Sequence, residues 1–162
     1  MANKIYVARE TSIAFQDSAG DVALTLNNLA ATAGRISAQH DLGAGSTALD
    51  YEIRAVIEFE TQPVVGETVD IYISTSDGTD PDGQEGVADA ALGSTNSVKN
   101  MLFVGSLIVT TATVDHQMTA SFMCRIPTRY FSVVVVNSTA DNLQATANTS
   151  WVIVTPTPPE IQ

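Results

Sequence analysis

The stretch YEIRAVIEFE, Tyr51 to Glu60, decides how the rest of the chain is read. Tyr51, Ile53, Ala55, Ile57 and Phe59 fall at every second position, with Glu52, Arg54, Glu58 and Glu60 between them. Successive side chains of a strand point to opposite faces, so this period of two predicts a strand with one face in a core and the other in water. Only Val56 breaks the pattern. The same period predicts a strand over 68–74 with Val69, Ile71 and Ile73 inward, and another over 120–126 with Phe122, Cys124 and Ile126 inward. Apolar and β-branched runs predict further strands at 4–8, 11–15, 22–26, 102–109, 130–136 and 151–155. The run FSVVVVN (131–137) is a pairing hazard if left open, which predicts a central strand or one paired across a subunit interface.

Turn chemistry separates these runs. DSAGD (17–21), HDLGAGS (40–46), TQPVVGE (61–67), SDGTDPDGQEG (76–86) and NSTADN (137–142) carry the glycines, prolines and Asx residues that reverse a chain. Short strands at such spacing point to an all-β, antiparallel two-sheet β-sandwich, jelly-roll-like, with an immunoglobulin-like sandwich as the runner-up. Two weak helix candidates remain, LTLNNLAATAG (24–34) and GVADAAL (86–92), of which at most one short helix is expected. The length of 162 residues suits a single domain over 1–155, residues 1–10 forming an N-terminal arm. The Pro-rich tail 156–162 lacks backbone donors at Pro156, Pro158 and Pro159 and is expected to leave the fold as an extended arm.

Charge narrows the function classes. The net charge is −11, and the eleven acids between Asp50 and Asp89 face Arg54 alone, which is nearly the whole imbalance. Such a surface repels a phosphate backbone, and the scattered cations form no basic stripe, so nucleic acid is not an expected partner. No apolar run approaches the roughly 20 residues that span a bilayer, and the start carries no apolar signal region. A soluble protein made in the cytoplasm is expected, with no membrane partner. Cys124 is the sole cysteine, which rules out an intrachain disulfide.

Few side chains offer chemistry. The acidic loop 77–89 is the first candidate for a Ca²⁺ site, but counting from Asp80 and Asp82 as first ligands puts Glu85 where an EF-hand needs glycine and Ala91 at its twelfth position. A solvated, mobile hairpin loop is the favoured reading. His40 and His116 lack partner ligands at zinc spacing and read as turn or strand-surface residues. No serine lies in a nucleophile-elbow context, so catalysis is not expected, nor is a cofactor. Cys124 reads as an apolar filler, and Trp151 as a core or interface residue before a sugar-stacking one. Asn137 and Asn148 head glycosylation sequons in form only.

The segments VDIYISTSDGTDPDGQ (69–84), FVGSLIV (103–109) and RIPTRYFSVVVVNSTADNLQATANTS (125–150) resemble small all-β virion structural proteins of tailed bacteriophages over about residues 67–155. The resemblance implies a capsid decoration, or cement, protein on the virion surface. It implies a homotrimer, a major capsid protein as partner, and arms at MANKIYVARE and TPTPPEIQ; it carries no site residues. The alternative is a head-fibre or tail-associated module that binds carbohydrate or a host surface through Trp151 and the acidic loop.

Overall fold

The computed structural model describes residues 5–7, 9–45 and 48–161. Eight principal strands make the body: β1 (Ile13–Gln16), β2 (Gly34–Ile36), β3 (Asp50–Glu58), β4 (Thr68–Ser76), β5 (Leu102–Ile108), β6 (Gln117–Arg125), β7 (Tyr130–Asn137) and β8 (Trp151–Pro156). The first sheet runs β6-β3-β8-β1 and ends on the two-residue strand Val22–Ala23. The second runs β2-β7-β4-β5, with Ala90–Ala91 on the outer edge of β2 and His40–Asp41 beside β7. The pairs β1·β8, β2·β7, β3·β6 and β4·β5 nest as in one long antiparallel hairpin folded over on itself. Every connection between consecutive principal strands crosses from sheet to sheet except β4 to β5.

The period-two strands bury what their sequence predicts. Tyr51, Ile53, Ala55, Ile57 and Phe59 are inaccessible, and so are Val69, Ile71 and Ile73 from the facing sheet. They interleave with Phe15, Phe131, Val133, Val135, Val152 and Val154 in one core between the sheets. Each such side chain contributes about 1.5–3 kcal/mol when removed from water. Val56, the exception to the alternation, lies on the outer face with Trp151 and Thr119 as its row partners.

β7 is central, and it is apolar on both sides. Val133 and Val135 enter the main core, whereas Val134 and Val136 join Ile36 in a second cluster on the outer face of the sheet. Segment 77–101, with 3₁₀ turns at Asp82–Gln84 and Ser97–Asn100, covers that cluster through Ala90, Leu92, Val98 and Met101. Outward valines explain why the run shows no alternation.

Several expectations are corrected. Neither 24–34 nor 86–92 is helical, and the described residues hold no α-helix. Leu24, Leu26 and Leu29 are buried, but positive φ angles at Asn28 (58°) and Thr32 (60°) turn the chain there, and Gly34 opens a strand that the helix reading hid. The predicted strand 22–26 shrinks to Val22–Ala23, and β6 begins three residues before the expected 120. The ends are extended but not free: Ile5–Val7 pairs with Pro159–Ile161 in a two-stranded ribbon. The tail stays on the body through Thr157, whose amide and hydroxyl both donate to the Asp50 carbonyl (2.9 Å each). A proline at the first position of a strand, as at Pro159, gives up no ladder hydrogen bond that it must donate inward.

Candidate functional site

The acidic loop forms the near half of the cover, and its carboxylates are engaged by the protein itself. Asp77 Oδ1 accepts the amides of Thr79 (2.8 Å) and Asp80 (2.9 Å), which hold its carboxyl below the usual range. Asp82 Oδ2 accepts from the Thr75 amide (3.1 Å) and hydroxyl (2.5 Å), and Ser74 Oγ donates to the Asp82 carbonyl at 3.0 Å. These three bonds pin the first 3₁₀ turn to the end of β4. Glu85 accepts from the Gly93 amide and from Ser97 Oγ, joining the two halves of the segment.

Asp89 fastens the cover to the sheet. Arg35 of β2 meets it in a fork, Nε to Oδ1 at 2.7 Å and NH2 to Oδ2 at 2.8 Å, while Thr25 adds its hydroxyl (2.5 Å) and amide (3.2 Å). Burial alone would raise this carboxyl; the guanidinium and the Thr25 donors outweigh it and hold Asp89 below the ordinary carboxylate range. The loop is therefore fastened to the fold through Asp82, Glu85 and Asp89, while Asp77, Asp80 and Val87 stand exposed. Among the described residues no three His, Cys, Asp or Glu side chains converge on a point that could hold a metal ion. Of Asp80 and Asp82, Asp82 spends its Oδ2 on Thr75.

The remaining candidates are scattered. His40 pairs with Phe131 at one end of the sandwich, its ring edge-on to Phe15 (6.2 Å) and Phe131 (5.6 Å). Burial lowers its pKa, against the pull of Asp41 and Asp21. His116 lies at the other end, where its carbonyl accepts the Phe59 amide. Cys124 packs against the core beside Tyr51, and burial with Asp50 nearby pushes its thiol up to about 11, the opposite of an activated thiolate. Asn137 is inaccessible: its amide nitrogen donates to the carbonyls of Leu29, Ala30 and Asp141, so it is a buried knot and not a sugar acceptor.

Trp151 begins β8 on the outer face of the first sheet, half-buried next to Val56. Ala90, Leu92, Val98 and Met101, which follow the acidic loop, pack on the outer face of the second sheet. Trp151 and the loop thus attach to different sheets.

Sequence reasoning did not single out the apolar rim at one end of the sandwich. Val64, Val65, Ile108 and Val114 stand 55–63% exposed. Their loops are joined by backbone bonds from Gly66 to Val109, Val109 to Glu67 and Phe59 to His116. In the sequence the TQPVVGE motif shows its turn, but not that a second loop brings further apolar side chains beside it. Compared with known proteins, the chain matches no family model and no curated sequence.

Proposed function

We propose that this chain is a structural protein of a tailed-phage virion, a capsid decoration protein that binds the outer shell and holds neighbouring major capsid subunits together. The nested strand pairing supports a jelly-roll reading of the sandwich, in keeping with the resemblance of residues 67–155. The observation that carries the proposal is how the polar chemistry is spent. The carboxylates of Asp77, Asp82, Glu85 and Asp89 bond to the protein's own backbone and side chains, while Val64, Val65, Ile108 and Val114 face solvent together. Clustered exposed apolar side chains mark contact surfaces more often than reaction centres. On this reading the protein works by passive burial of surface, without catalysis or cofactor, as a homo-oligomer that gains avidity by engaging several shell subunits at once.

The test compares shells with cells. Shells assembled from the major capsid protein alone should carry the protein down in sedimentation, and host cells should not. Binding to cells and not to shells would replace this reading by the ligand-binding module on a fibre or tail, and Trp151→Ala would then be the variant to examine for lost glycan binding.

A further inference from the structure

We propose that the outer edge of β6 pairs with β6 of a second copy of this chain, antiparallel about a two-fold axis near Ser121, joining two first sheets into one. The sheet order ends on β6, and among the described residues no strand pairs with its outer edge. All nine residues from Gln117 to Arg125 keep continuous register with β3, so the free edge is a full row of unpaired donors and acceptors. Natural sheets blunt such edges with lysine, proline, bulges or very short strands. The other three edges of this sandwich are blunted: two end on two-residue strands, Val22–Ala23 and Ala90–Ala91, and β5 breaks register opposite Ile71 and Tyr72. β6 carries no lysine, proline or bulge.

The charges favour a second copy here. In a chain of net charge −11, β6 has no acid, and its only charge is Arg125 at its end. Pairing about Ser121 sets Gln117 against Arg125 of the other copy, Thr119 against Met123 and Ser121 against itself, so no like charges oppose. The acids of the two β3 strands would stand three strand spacings apart, about 14 Å, beyond the screening length of about 8 Å at physiological salt. On the inner side Ala120 meets Phe122 and the buried Met118 meets Cys124, covering Ala120, Phe122 and Cys124, now half-buried at the edge; on the outer side Met123, 64% exposed, lies opposite Thr119. Such a surface is self-complementary, as a two-fold contact must be. The inference stands whether or not the protein belongs to a virion.

Solution mass over about 1 μM to about 1 mM is the readout, the range that separates moderate from weak contacts. The wild-type chain should move toward twice 17.1 kDa as concentration rises. Ser121→Lys, an exposed site, places two lysines face to face and should shift that transition at least tenfold to higher concentration while the circular dichroism stays unchanged. Ser121→Cys in a Cys124→Ala chain, treated with oxidised glutathione, should cross-link as a disulfide dimer. A chain that stays monomeric throughout would overturn the proposal. So would a trimer, or any oligomer, whose transition Ser121→Lys leaves in place, or a folded Ser121→Cys chain that fails to cross-link.

Discussion

Gly105 sits in β5 under the ring of Phe122, and a Cβ built there would overlap Phe122 Cδ1 and Cε1. The absence of a side chain lets the edges of the two sheets approach at this corner. Gly105→Ala should destabilise the fold by about 1–3 kcal/mol through overpacking, and Phe122→Leu in the same chain should recover part of that loss in urea denaturation. Thr32 is strained in the opposite sense, being β-branched at φ 60° and exposed. Thr32→Asn, which tolerates the left-handed region, should raise stability by about 0.5–1 kcal/mol, or roughly 1–4 °C in Tm. His40 gives the molecule a pH dependence. Its pKa lies lower in the folded chain than the unfolded value of about 6.5, so the unfolded chain binds more protons in that window. The stability it contributes is complete above about pH 6.5 and is lost as pH falls toward the folded pKa; the drop in Tm between pH 7.5 and 5.5 should shrink in His40→Gln.

Among the elements, the cover over β2 and β7 is the part whose acids have assigned work. Asp89→Asn leaves the Arg35 guanidinium, only 24% exposed, facing a neutral amide, and should cost about 1–3 kcal/mol with increased binding of an apolar dye to the opened Ile36, Val134 and Val136 cluster. Asp80→Asn, at an exposed position of the same loop, should change stability by less than about 0.5 kcal/mol. Comparison of the two by urea midpoint separates a clasp from a charged surface. The sequence concealed this difference. Strands such as β3 and β4 are legible because alternation is local, each residue reporting its own face. The acceptor role of Asp89 depends on Thr25 and Arg35, which lie more than fifty residues away in the chain. β2 was hidden for a related reason: a three-residue strand has no period to show, and of the leucines before it Leu29 sits in a turn held by Asn137.

At the scale of the whole molecule, the two-layer β architecture was readable from strand spacing and turn residues, because every long strand carries its inward face in its own sequence. The pairing of the two ends was not. Prolines in the tail announce only an inability to donate, and Pro159 still takes its place opposite Val7. The apolar rim was equally silent, since the loops that carry Val64 and Val114 are brought to one end of the sandwich only through folding. If that rim is where the protein meets a shell, Val65→Asp with Val114→Asp should weaken shell binding at least tenfold without lowering Tm, as substitutions at exposed loop positions seldom unfold a domain. If the protein cements a shell, as proposed, it binds only the assembled form, and a ligand of that kind must stabilise the shell. The most direct measurement is the calorimetric transition of capsid shells titrated with the protein. A cement protein should move the transition to higher temperature, saturating once the shell sites are filled; a transition that stays where it was at saturating protein would rule that role out.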